Sequence, residues 1–240
     1  MPSWPSVSNP FPFQGAFAHR GFHGPERPEN SLAAIAAARS ANIGCEIDVR
    51  LAGDDKPVVF HDPDLKRLCH RGERIDRVAA PHLATVRNEC SRATIPTLAA
   101  ALAVAGRTMP LLLELKTDGL PRRRLQAFAQ AVSQLVRRHV GPIACLSFDR
   151  AFLQTLRQRG CPCPLGLALG HKAIPKDTGS YGTGGYEFVA VDRRLDPIPD
   201  LQPQLAWTVR DPSEARALLR SKIGVIFEGF NPLFLRTTAG

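Results

Sequence analysis

The sequence predicts an α/β protein: a closed (β/α)8 TIM barrel with a small hairpin and insertion after its second strand. Three observations predict it. Strand-like and helix-like runs alternate along the 240 residues, the rhythm of a parallel sheet with crossover helices. Eight strand-like runs fit this rhythm, in a chain close to the ~250 residues usual for such a barrel. Charged side chains interrupt the apolar runs at strand ends, where a barrel of this kind carries its chemistry.

Each element has a local reason. Ala16 to His19 reads as the first strand. Glu29-Asn30-Ser31 offers a helix start, and Leu32 to Ala41 is rich in helix formers. Gly44 precedes the second strand, Cys45 to Val49. Pro57 to Phe60 follows after only seven residues, whereas a parallel crossover needs a dozen or more. It is therefore expected to fold back on Val49 to Ala52 as a hairpin, with Gly53-Asp54-Asp55-Lys56 at its tip. Residues 61–95 form an insertion before a helix that Pro96-Thr97 opens and Gly106 closes. Leu111 to Leu115 is the third strand, and Leu125 to Arg138 the next helix. Ile143 to Ser147, Leu165 to Leu169, Phe188 to Asp192, Leu205 to Val209 and Val225 to Glu228 complete the eight strands. Asp149 to Arg159 is helical, and Asp211-Pro212-Ser213 opens the helix between the last two strands. With no internal repeat and no second core in view, residues 16–240 read as one domain behind a Pro- and Ser-containing tail, residues 1–15.

Composition narrows the function. The apolar fraction of 44% supplies a core, yet no apolar run approaches the ~18 residues of a membrane span. The first 18 residues carry no Lys or Arg and no sustained apolar stretch, so a cytoplasmic protein is expected rather than an exported one. The six cysteines, at 45, 69, 90, 145, 161 and 163, form no CxxC pair and are expected as reduced thiols. Cys161-Pro162-Cys163 has no visible partner motif and reads as structural. The net charge of +9 attracts anions. The basic residues are scattered, with Arg122-Arg123-Arg124 the tight cluster, and no nucleic-acid motif accompanies them. The expected partner is a small phosphorylated molecule, not nucleic acid.

Four motifs carry the chemistry. Glu46 and Asp48 share one face of the second strand, and Glu114 and Lys116 share one face of the third. Carboxylates are rarely buried unless they are paired or hold a metal. Oxygen ligands from Glu46, Asp48 and Glu114 suit Mg²⁺ or Ca²⁺. Arg20 and Lys116 can neutralise a phosphate. His19 ends the first strand, and the hairpin returns His61 to the same rim, so the two can act as general base and general acid. His23, His70, His82, His139 and His171 read as surface residues.

The motifs together resemble the glycerophosphodiester phosphodiesterases. The resemblance runs through Ala18-His19-Arg20-Gly21, Pro28-Glu29-Asn30-Ser31, Glu46-Ile47-Asp48-Val49, Val58-Val59-Phe60-His61-Asp62, Ile95-Pro96-Thr97-Leu98 and Leu113-Glu114-Leu115-Lys116. Fainter likenesses continue in Ser147-Phe148-Asp149 and Trp207-Thr208-Val209, so the resemblance covers roughly residues 16–232. It implies a metal-dependent barrel, using Mg²⁺, Ca²⁺ or Mn²⁺, that cleaves glycerophosphodiesters to sn-glycerol 3-phosphate and an alcohol. It implies that His19 and His61 are the catalytic pair, that Glu46, Asp48 and Glu114 bind the metal, and that Arg20 and Lys116 contact phosphate. It further implies a supporting shell of Glu29 and Asn30 and a substrate pocket lined by Phe148 and Trp207. Two stretches depart from the family's pattern. Leu51-Ala52-Gly53-Asp54-Asp55 stands where a Thr-x-Asp-Gly-like turn is usual, and Phe227-Glu228-Gly229-Phe230-Asn231-Pro232 where Thr-Asp-x-Pro is usual. The same residues leave two alternatives: a lysophospholipase D acting on lysophospholipids, and a non-catalytic barrel that binds phosphorylated ligands.

Overall fold

The structure is a computed structural model, and it describes residues 11–89, 91–171, 185–195 and 203–235. Nine strands are present among them: β1 (Ala16–Ala18), β2 (Gly44–Leu51), β3 (Pro57–Val59), β4 (Leu111–Leu115), β5 (Ile143–Ser147), β6 (Leu165–Leu169), β7 (Phe188–Asp192), β8 (Gln204–Val209) and β9 (Gly224–Phe227). Eight of them run parallel in the order β1-β2-β4-β5-β6-β7-β8-β9, and β1 also pairs with β9, which closes the barrel. β3 lies outside this ring. It pairs antiparallel with β2, with Val49 opposite Val59 and Leu51 opposite Pro57, as the short connection requires.

Among the described residues seven α-helices accompany the strands: α1 (Leu32–Ser40), α2 (Lys66–Cys69), α3 (Ala80–Leu83), α4 (Leu98–Ala105), α5 (Arg122–Arg138), α6 (Arg150–Gln158) and α7 (Pro212–Arg220). Ser31, Thr97, Asp149 and Asp211 cap α1, α4, α6 and α7 through their side chains, each worth about 1 kcal/mol. α5 starts three residues earlier than the helix-former pattern suggests. Pro121 presets the entry, and Arg124 is held by Asp55, the Ala52 carbonyl and the Asp76 carbonyl. The basic cluster is thus the first turn of α5, and its last member ties the helix to the hairpin.

Side chains alternate across each strand, and two apolar layers result. Phe17, Leu112, Leu146, Phe188 and Leu205 belong to a cluster inside the barrel. Leu113, Cys145, Leu167 and Val225 face the helices together with Phe128, Phe152 and Leu156. Residues 11–15 are not a free tail. Phe11 stacks on Phe17 at 5.3 Å and Phe13 meets Phe188 at 4.8 Å, sealing the amino-terminal end of the barrel. The hairpin and insertion have a small apolar cluster of their own, including Val58, Phe60, Leu65, Ile75 and Leu83. Among the described residues no helix is long and apolar enough to cross a membrane.

Candidate active site

Register assembles the acidic group. Glu46 and Asp48 are two apart on β2, and the parallel pairing sets Asp48 beside Glu114 on β4. One carboxylate oxygen from each of the three lies within 4.8 Å of the others. Glu46 and Asp48 are buried, at 1% and 0% exposure. Lys116, just past β4, places Nζ 3.0 Å from Asp48 Oδ1 and also pairs with Glu114. Arg20, just past β1, donates its backbone N–H to Glu46 Oε2 at 2.9 Å. Its guanidinium donates to Glu29 Oε1 at 2.8 Å and stands 3.4 Å from Asp48 Oδ2. Asn30 donates to Asp48 Oδ2 at 2.8 Å and accepts from the Asp48 N–H at 3.0 Å. Glu29 therefore contacts Arg20, and Asn30 contacts Asp48.

The three acids are not electrostatically alike. Burial pushes the Glu46 carboxyl well up, and Asp48 and Glu114 push it further. Burial works the same way on Asp48, but Lys116, His61, Arg20 and the Asn30 amide together hold it well below the usual carboxylate range. Lys116 is raised despite its burial, because Asp48 and Glu114 face it. Glu46 Oε1 and Asp48 Oδ1 are buried without a hydrogen bond; the second has only the undirected charge of Lys116. Carboxylate oxygens converging from three acids, two of them with an oxygen outside any hydrogen bond, fit a hard divalent cation with oxygen ligands.

Both histidines are set by carboxylates. His19 follows β1 and Glu228 follows β9, and the two strands are neighbours only because the barrel closes. His19 Nδ1 lies 2.5 Å from Glu228 Oε2. The hydrogen bond to His19, with His23 close by, holds the Glu228 carboxyl far below its ordinary range. Arg210 pairs with the same carboxylate at 2.5 Å. His61 Nδ1 lies 2.6 Å from Asp62 Oδ1. Arg67 then bridges Asp62 and Glu29, with Nε 2.6 Å from Asp62 Oδ2 and NH2 2.6 Å from Glu29 Oε1. A chain of charges thus runs from His61 through Asp62, Arg67 and Glu29 to Arg20. Among the described residues no hydrogen bond engages Nε2 of either histidine. With Nδ1 fixed on a carboxylate, Nε2 is the nitrogen available for proton transfer.

Four residues complete or correct the expected set. Glu228, Asp62 and Arg67 position the histidines; Asp62, by its place beside His61, and Glu228, standing where the family's Thr-Asp-x-Pro is usual, carry a signal in the sequence, and Arg67 carries none. His23 is not a bystander: its Nε2 stands 3.8 Å from Glu228 Oε2. Phe148 and Trp207 meet edge to face at 5.6 Å, with Trp207 Nε1 donating to the Ala190 carbonyl at 3.0 Å. Phe148 remains 48% exposed, so the pair forms an apolar wall open to solvent. Of the Gly-rich stretch from Gly179 to Gly185, all but Gly185 lies outside the described residues.

Gly21 explains why the His-Arg motif ends in glycine. Its φ is +85°, and a Cβ there would stand 2.7 Å from Ala34 Cβ on α1. The tight turn lets Gly21 N–H reach the Glu46 carbonyl at 3.0 Å while Arg20 N–H reaches the Glu46 carboxylate. Gly21→Ala should destabilise the protein by about 1–3 kcal/mol through strain and overpacking. Urea unfolding with an unchanged midpoint would contradict that account.

Barrel and rim together define a phosphoric diester hydrolase on a (β/α)8 scaffold. The chain belongs to the glycerophosphoryl diester phosphodiesterase family, whose family model matches residues 19–195. Solved structures share the fold. A phosphodiesterase from Oleispira antarctica, solved with the product sn-glycerol 3-phosphate, is 26% identical with a TM-score of 0.77, covering 89% of this chain and 92% of its own. The glycerophosphodiester phosphodiesterase of Thermotoga maritima is 24% identical with a TM-score of 0.67, covering 88% and 93%. That of Parabacteroides distasonis is 21% identical with a TM-score of 0.72, covering 91% and 94%. No curated protein sequence matches the chain.

Proposed function

We propose that this enzyme hydrolyses glycerophosphodiesters to sn-glycerol 3-phosphate and an alcohol, with a divalent cation on Glu46, Asp48 and Glu114 and with His19 and His61 as the acid–base pair. The observation that carries the proposal is the meeting, at one barrel rim, of three carboxylates and two histidines each braced by its own carboxylate. The product complex of the Oleispira antarctica relative supports the choice of substrate. Mg²⁺ or Ca²⁺ fits the oxygen donors, and Mn²⁺ is compatible with them. Once bound, such an ion stabilises charge on the phosphoryl oxygens as a Lewis acid.

The side chains divide the remaining work. Arg20 and Lys116 attract the phosphate and hold it at the rim. His19 Nε2 accepts the proton of the attacking oxygen, and Glu228 stabilises the imidazolium that results. His61 Nε2 donates a proton to the leaving alkoxide, oriented by Asp62 and, through it, Arg67. Phe148 and Trp207 rest against the glycerol carbons. The five free cysteines found among the described residues suit a reducing compartment, so the proposal includes a cytoplasmic site of action.

The test is an activity panel: glycerophosphocholine, glycerophosphoethanolamine, glycerophosphoglycerol and a lysophospholipid, each with Mg²⁺, Ca²⁺ or Mn²⁺. Glycerophosphodiesters should be cleaved. Turnover of the lysophospholipid alone, or of nothing, would overturn the proposal. The same panel checks specificity. The named polar groups cluster on the metal and phosphate side, Phe148 and Trp207 rest on the glycerol half, and the alcohol half is left near solvent. Exchanging choline for ethanolamine should alter kcat/KM by less than about tenfold, under ~1.4 kcal/mol. Removing the glycerol hydroxyls should cost more, because their polar partners would be left unpaired. A difference of several orders of magnitude between the choline and ethanolamine esters would point to a dedicated alcohol pocket instead.

A further inference from the structure

Three cysteine sulfurs meet outside the barrel wall, away from the carboxylates. On β5, Ala144 and Leu146 turn inward and Cys145 turns toward the helices. Cys161 and Cys163 stand on the link between α6 and β6, where Pro162 and Pro164 restrict the backbone. The Cys145 N–H donates to the Pro164 carbonyl at 3.0 Å and fastens that link to β5. Cys163 Sγ lies 3.5 Å from Cys145 Sγ and 3.6 Å from Cys161 Sγ. All three sulfurs fall within 4.8 Å of one another, and all three residues are buried.

A buried free cysteine often does no more than fill a core. Two features go beyond filling. First, the spacing is close to that of a coordination shell: with metal–sulfur bonds of about 2.3 Å, the sulfurs of a trigonal or tetrahedral site stand roughly 3.8–4.0 Å apart. Second, the Ser133 hydroxyl on α5 is 1% exposed and has no partner in hydrogen-bond geometry, yet it lies near enough to Cys161 to help Cys145 and Cys163 hold that thiol low. A buried hydroxyl without a partner is costly unless something at the site engages it. No carboxylate or imidazole belongs to the group, so the donor set is soft.

We propose that Cys145, Cys161 and Cys163 form a binding site for a thiophilic d¹⁰ cation, Cu(I) or Zn(II), with Ser133 as the neighbouring oxygen. Soft thiolates select these ions over the hard cations of the catalytic rim. Three sulfurs suffice for Cu(I), whereas Zn(II) takes a fourth ligand, the place for Ser133 or a water. The ligating thiols release their protons to solvent on binding. The ion would pin the α6–β6 link to β5 and α5, and it would stabilise the fold by binding the native chain alone.

The experiment uses the full reduced chain, saturated with Mg²⁺ to fill the carboxylate site. It is titrated without oxygen, in one arm with Cu(I) and in the other with Zn²⁺ against a competing chelator. One ion should bind per chain, with a raised thermal midpoint and an X-ray absorption spectrum showing a first shell dominated by three sulfurs. Cys161→Ser and Cys163→Ser should each weaken binding on the order of a hundredfold or more. Cys69→Ser should leave it unchanged. Saturation by Cu(I) alone identifies a three-sulfur site, and saturation by Zn²⁺ with an added light ligand identifies the four-coordinate form. Failure of both ions to bind at one equivalent would overturn the proposal, as would a first shell of oxygens. Undiminished binding by the folded Cys161→Ser/Cys163→Ser double variant would overturn it too. The absorption measurement on the unaltered chain decides the matter even if that variant does not fold.

Discussion

Glu46→Gln should fold normally and lose phosphodiester hydrolysis by about 10³-fold or more, ~4 kcal/mol of transition-state stabilisation. The variant keeps the side-chain shape and can still accept the Arg20 N–H, so the turn after β1 survives. What it removes is the charge on an oxygen that is buried without a partner. In the unaltered enzyme, excess chelator should abolish activity and added Mg²⁺, Ca²⁺ or Mn²⁺ should restore it. Stability gives an independent readout. Burial, Asp48 and Glu114 raise the Glu46 carboxyl above its usual value of 4.5. The neutral carboxyl is therefore favoured in the fold, and without cation its stabilising contribution is lost as pH rises above about 4.5 toward the elevated folded value. In chelator at neutral pH, Glu46→Gln should accordingly match or exceed the unaltered chain in urea, and added cation should reverse the order. Full activity in excess chelator would refute the metal-centred reading.

The parts of the site that are local in sequence were legible; the parts made by barrel closure were not. Glu46 and Asp48 announce themselves because period two puts two charges on one strand face among apolar neighbours. Glu114 does so because it interrupts four leucines. The hairpin followed from one length, the seven residues before Pro57. The pairing of His19 with Glu228 spans 209 positions, and no local pattern specifies it. It exists because β1 and β9 are neighbours in a closed ring. His23 reads as a surface residue for the same reason, since the group it faces is that distant carboxylate. Arg67 lies in the insertion, on the four-residue helix α2, too short to show periodicity. Cys145 joins Cys161 and Cys163 only through the β5–β6 pairing, which no cysteine spacing reveals. Residues 11–15 read as tail because a lone Phe11 and Phe13 do not show that a barrel end needs sealing.

His61→Ala should lower kcat by about 10²–10⁴ on a diester with an alkyl alcohol as leaving group, while the fold is retained. His61 is partly exposed, and its Nδ1 is held by Asp62, so its removal opens no core cavity. The loss should shrink sharply on a p-nitrophenyl ester, whose leaving group needs no proton. His19→Ala should instead lose activity on both substrates, because the attacking oxygen must still be deprotonated whatever departs. Comparing the two variants across the two substrates assigns the acid and the base in a way that overall activity cannot. Arg67→Leu should show a weaker form of the His61→Ala pattern, since Arg67 touches neither substrate nor proton and acts by holding Asp62 and Glu29. His23 is a poor control because it shares Glu228 with His19, and His82, exposed on α3, replaces it. Should His61→Ala turn over the alkyl diester at the unaltered rate, His61 is not the acid. Should both histidine variants lose equally on both substrates, the division of labour is wrong even if the site is right.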